Sequence, residues 1–230
     1  MPTETTLRRM TERVDKLGRK FSEYLGIFDK ESIFTGPSLY FHYRTLERLN
    51  STTPVRVFED KQFFEYLYAT LCSWGLHRMG PTPTKLVEFE NLCSSLQAQK
   101  DKIIDLQEYR LSGLSDEESN KVRDALWEIL SNLEISKSET QLVAGSKALH
   151  HLLPAIMPPI DRQYTLMFFY NSKNPYDTGR QVFKTIYPLF HRIAVNNRDA
   201  IRDKIGQGFH TSETKVIDNA IVGFVLKELK

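Results

Sequence analysis

GSKALHHLLPAIMPPIDRQYT, residues 145–165, carries the strongest chain-direction signals of the 230 residues. Val143, Ala144, Gly145 and Ser146 read as a small-residue turn, and KALHHLL continues as two turns of helix. Pro154, Pro158 and Pro159 then end that helix and fix the path of the chain. Asp161 follows at the position that would cap a helix over RQYTLMFFY. A small turn at a helix amino terminus leaves free N–H groups and a partial positive charge, which suits a phosphate. Val143, Gly145 and Ser146 are therefore candidate contacts to a phosphate, with Lys147 and Asp161 flanking the corner.

The same helical grammar extends outward. Apolar residues at 7, 10, 14, 17, 21, 25 and 28 predict one amphipathic helix ending near Gly26. Pro37 opens a second helix, SLYFHYRTLERLN, and Asp60 caps a third, KQFFEYLYATLCSWG, broken at Gly75 and Gly80. PTPTKLVEFENLCSSL restarts with Thr84 as a cap. Ser115 and Glu118 have capping-box spacing ahead of an apolar stripe from Val122 to Leu133. Two more helices carry Val182 to Ile193 and Val216 to Phe224, the latter starting at Thr211 or Ser212. Only TPVRVFE, residues 53–59, has any strand character. The expectation is an all-α fold of about ten helices, one globular unit over 1–230 that a cleft could divide into two lobes.

Composition excludes several classes. With 40% hydrophobic and 26% charged residues the chain is an ordinary globular one, and a net charge of +2 permits an anionic partner without demanding it. Cys72 and Cys93 are too few for a disulfide framework or a four-cysteine cluster, and read as buried apolar residues. The amino terminus lacks an apolar signal region, and no apolar run is long enough to span a bilayer. A cytoplasmic protein without membrane contact is expected. Adjacent His150 and His151 point about 100° apart on a helix, so a shared metal site is not expected.

LVAGSK, residues 142–147, followed by PPID, residues 158–161, resembles the helix-hairpin-helix DNA glycosylases of base-excision repair. In that family a hairpin of the form L-P-G-V-G-x-K leads a helix, and a V-D aspartate heads a later one. Gly145 falls on the second hairpin glycine, Lys147 on the lysine that is the nucleophile of bifunctional members, and Asp161 on the catalytic aspartate. Val143 departs from the first hairpin glycine, and the 14 residues from Lys147 to Asp161 form a shorter connection than the family's. The motif occupies about 133–170 of the chain.

The resemblance implies a DNA N-glycosylase that leaves an abasic site, acting as a monomer on double-stranded DNA with damaged or modified bases. Neither cofactor nor metal is implied. Asp161 would stabilise the positive charge that develops on the sugar and orient the attacking water. Lys147 could instead attack C1′ and lead on to strand cleavage. Because the base must be flipped out of the duplex, aromatic and polar residues should line a pocket. Tyr66, Tyr68, Trp74, His77 and Arg78 are the first candidates, and Lys215, Asp218 and Asn219, with Lys215 and Asn219 one turn apart, are the next. A divergent hairpin without an iron–sulfur cluster suits a specialised role, such as antiviral defence by removing modified cytosine from phage DNA. The alternative is a non-catalytic helix-hairpin-helix protein that grips DNA backbone or a protein partner.

Overall fold

The computed structural model describes residues 2–31, 34–77, 85–137 and 141–229. The fold is all-α. Among the described residues there are twelve α-helices and no strand, only an isolated antiparallel bridge between Leu86 and Ser136. Helices α1 (Glu4–Arg19), α2 (Phe21–Glu31), α3 (Pro37–Asn50) and α4 (Lys61–Leu71) make the first part. Next come α5 (Phe89–Gln97), α6 (Lys100–Leu106), α7 (Asp116–Asn132) and α8 (Leu142–His150). The chain closes with α9 (Thr165–Tyr170), α10 (Gly179–Asn196), α11 (Arg198–Lys204) and α12 (Glu213–Glu228).

Local signals place many of the ends. Pro37 occupies the first turn of α3, Asp60 Oδ1 accepts the Phe63 N–H at 3.1 Å, and Ser115 with Glu118 completes the capping box of α7. Ser212 caps α12, accepting the Lys215 N–H at 3.3 Å. Gly75, at φ +85°, closes the tight turn Cys72–Leu76 after α4, a left-handed conformation that glycine adopts without strain.

Three expectations fail, at the first helix, at TPVRVFE and at Val143–Ser146, where distant contacts outweigh local pattern. The first helix is two: the chain turns at Lys20 and re-forms as α2, with Gly26 inside it. This turn lays Tyr24, Leu25 and Phe28 along α12, which approaches so closely that a Cβ at Gly223 would overlap the Tyr24 carbonyl oxygen. TPVRVFE has no partner strand and buries Val57 and Phe58 through a single 3-10 turn, Arg56–Glu59. Helix α5 begins at Phe89, and the proposed cap Thr84 lies outside the described residues. The separate turn expected at Val143–Ser146 is instead the first turn of α8, already helical.

Gly145 serves that last helix by its smallness: a Cβ there would lie 2.7 Å from Leu130 Cδ2, so the glycine lets α8 press against α7. Its N–H bonds to the Gln141 carbonyl at 2.7 Å and is not free for a phosphate. Cys72 and Cys93 are half-buried free thiols, and burial pushes both above the usual thiol range. Among the described residues no helix is long and apolar enough to cross a membrane.

Candidate functional site

The proline corner is held by Ser146. Its hydroxyl is fully buried and accepts the Ile160 N–H at 3.0 Å, tying α8 to the residue before Asp161. Asp161 Oδ1 then accepts the Tyr164 N–H at 2.6 Å, and the Asp161 N–H reaches Thr165 Oγ1 at 3.2 Å. The carboxylate caps a single turn, and α9 starts at Thr165, three residues later than RQYTLMFFY suggested. With one oxygen on the backbone, Asp161 faces a cavity of about 280 Å³.

Residues from five separate stretches meet there. Phe34, Trp74 and Phe209 supply aromatic walls, while Lys147, Asp161, Lys215 and Asp218 supply two charges of each sign. Lys147 Nζ donates to the Trp74 carbonyl at 3.0 Å and stands 5.8 Å from the Trp74 ring. Burial pulls its ammonium below the ordinary lysine range, against the opposing pull of Asp161 and Asp218. Lys215, 3% exposed, lies 4.4 Å from the Phe209 ring, 5.4 Å from Trp74 and 5.5 Å from Phe34, and donates to Asp218 Oδ2 at 2.5 Å. Burial pushes the Asp218 carboxyl up, with the Lys215 ammonium pulling the other way.

A wider cleft of about 420 Å³ shares Phe34, Trp74, Lys147 and Asp161 with this cavity and adds Lys85 and the exposed Arg162. Asp161 and Lys147 thus stand where an aromatic inner chamber meets a more polar outer one. Against the Trp74 ring lies a cluster of three histidines, His42, His150 and His151. The Lys147 carbonyl must accept from His151 Nδ1 at 2.8 Å, so His151 Nε2 accepts from His42 Nδ1 at 2.9 Å. His42 Nε2 in turn accepts the Thr211 hydroxyl at 2.8 Å, which fixes both rings as neutral tautomers. Burial lowers all three of His42, His150 and His151, with His151 at about 4. Among the described residues no group of three or more His, Cys, Asp or Glu is placed to hold a metal.

Of the predicted site residues, Lys147, Asp161, Trp74, Lys215 and Asp218 come together. Val143 borders the outer cleft in the first turn of α8, whereas Gly145 packs on Leu130 and Ser146 is enclosed, so these last two do not form the phosphate grip assigned to them. Tyr66 lies against Arg44 and Gln62, and Tyr68 bonds to the Val87 carbonyl, both away from the cavity. His77 is exposed outside it, and Arg78 lies outside the described residues. Asn219 turns to the Phe209 carbonyl at 2.8 Å and to His210, because α12 is buried on every side there. Phe34 and Phe209 were not among the candidates. One signal for Asp218 was legible: Lys215 and Asp218 share a helix face in a segment otherwise rich in apolar residues. Compared with protein-family models, curated proteins and solved structures, the chain matches none.

Proposed function

We propose that the chain is a DNA glycosylase-like hydrolase that removes a damaged or modified base from double-stranded DNA in the cytoplasm. The observation that carries this reading is the meeting of Asp161 and Lys147 with Trp74, Phe34 and Phe209 at the neck between the two chambers. An extruded base would enter the aromatic chamber and stack, while sugar and phosphate would remain in the outer cleft beside Arg162. That division would put C1′ at the neck.

There the Asp161 carboxylate would stabilise the positive charge growing on the sugar as the C1′–N bond breaks and its electron pair leaves with the base. The same carboxylate would accept a proton from the water that forms the new C1′–O bond. Lys147, anchored on the Trp74 carbonyl, would hold the aspartate and the sugar-phosphate in register. The short connection between the two residues favours this holding role over attack on C1′. Modified cytosine in phage DNA, and hence antiviral defence, is one substrate class among those the test below separates. Monomeric action is part of the same reading.

Purified protein should be incubated with duplexes carrying deaminated, oxidised or alkylated bases and with phage DNA of modified cytosine content. Abasic sites are then read by hot-alkali cleavage. Base release by wild type and its loss in Asp161→Asn is the expected result; Asn caps the turn as well as Asp does, so the fold is kept. No release of any base, or equal release by the variant, overturns the assignment and leaves the non-catalytic binding reading. A covalent adduct after borohydride treatment would make Lys147 a nucleophile.

A further inference from the structure

The floor of the inner chamber is built of a buried ion pair whose two ends are unequally satisfied. Asp218, 4% exposed, receives the Lys215 ammonium on Oδ2, while its Oδ1 is buried and has no hydrogen-bond partner. Asp218 lines the chamber together with Lys215 and the three aromatic rings. The remaining N–H bonds of Lys215 meet ring faces at 4.4–5.5 Å, so the protein's own cation already occupies the aromatic cage. A cationic ring stacked beside that ammonium would be repelled by it, and a neutral one would not.

A buried carboxylate oxygen without a donor is unfavourable on its own, and a donor brought by a ligand relieves it. From this geometry we infer that Asp218 is a specificity-determining residue whose Oδ1 accepts an N–H from the edge of a neutral, planar heterocycle stacked in the chamber. Lys215 is the positioning residue that keeps the carboxylate oriented. The inference rests on the reading of the chamber as a base pocket, and it narrows the ligand to rings with an amino or imino N–H on the edge inserted deepest. Uracil-type imides and cytosine- or adenine-type amines share that chemistry.

Substitution separates the two oxygens cleanly. Lysine only donates, so in Asp218→Asn the amide oxygen must stay on Lys215 and the NH2 group takes the place of Oδ1. The variant therefore presents a donor where the wild type presents an acceptor. Binding of free bases is measured by heteronuclear NMR titration or calorimetry with matched pairs: uracil and 3-methyluracil, cytosine and N4,N4-dimethylcytosine, adenine and N6,N6-dimethyladenine. At least one parent base is expected to bind about 10- to 100-fold more tightly than its N-methylated partner, the range of one hydrogen bond to a charged group. Asp218→Asn should abolish that preference.

A double variant, Lys215→Met with Asp218→Leu, removes the pair without stranding a buried charge, and guards against misfolding of the single one. It should bind parent and methylated bases alike. Equal binding of each pair by wild type, a preference that survives both variants, or no binding of any free base overturns the inference. Failure of the base-release assay alone would sink the hydrolase reading and leave this recognition result standing.

Discussion

Two buried polar groupings meet at Trp74, the chain from Thr211 through His42 to His151 and the charged cleft, and they differ in how completely each answers its own hydrogen-bonding needs; His150 stands beside that chain with its Nε2 unpartnered. In the histidine cluster, Thr211, His42, His151 and the Lys147 carbonyl form a chain in which each donor meets one acceptor. Burial keeps those rings neutral. The cleft gathers four ionisable side chains, is open to solvent, and leaves an Asp218 oxygen without a donor. A closed network adds to stability and fixes the backbone of α8. An open, incompletely answered one has interaction capacity left for a ligand.

The sharpest way to break this comparison is to exchange the readouts. Asp161→Asn is expected to lower base release by about 10²–10⁴-fold while changing unfolding free energy by less than about 1 kcal/mol. His151→Leu should do the reverse. It strands the His42 N–H and the Lys147 carbonyl, costing about 2–4 kcal/mol in denaturant melts, with cleavage by the folded fraction retained. Both variants losing both properties would merge the two clusters into one.

A pH series probes the histidine side through the difference between wild type and His151→Leu, since Asp218 and Glu213, whose carboxyls burial pushes up, titrate in both proteins. Unfolded chain binds a proton on His151 near 6.5, whereas the folded site does so only near 4. The neutral ring's stability is therefore complete above about 6.5 and is lost as pH falls through that window, by roughly 3 kcal/mol from His151. His42 and His150 shift the same way and add to it. Thermal melts should fall steeply between pH 6.5 and 4 in wild type and less steeply in His151→Leu.

Ser146→Ala gives the smallest effect and bears on the link between the clusters. Loss of the acceptor for the Ile160 N–H should cost about 1–3 kcal/mol. Because Asp161 is the next residue, base release should also fall, by about tenfold or less if the corner holds its shape without the bond. Unchanged release would show that the prolines alone aim the carboxylate.

Much of this was legible in the chain. Apolar spacing and the caps at Asp60, Ser115 and Ser212 depend on neighbours within four residues, so the all-α class and most helix ends follow from the string itself. Proline and aspartate at 158–161 likewise announced a corner and a cap. Ser146 and Gly145 were misread as a phosphate-binding turn, since small residues look alike in a turn and in a tight helix contact. Only the position of Leu130 and Ile160 in space tells the two apart.

The pocket required the tertiary structure for a further reason. Phe34, Trp74, Asp161, Phe209 and Asp218 lie up to 184 residues apart, and the sequence held no local marker that Phe34 and Phe209 would face one lysine. Secondary structure is decided by short-range periodicity and hydrogen bonding, which residue order encodes directly. The ligand chamber is decided by how helices cross, and that depends on contacts such as Gly223 on Tyr24 and Gly145 on Leu130 that no spacing rule displays.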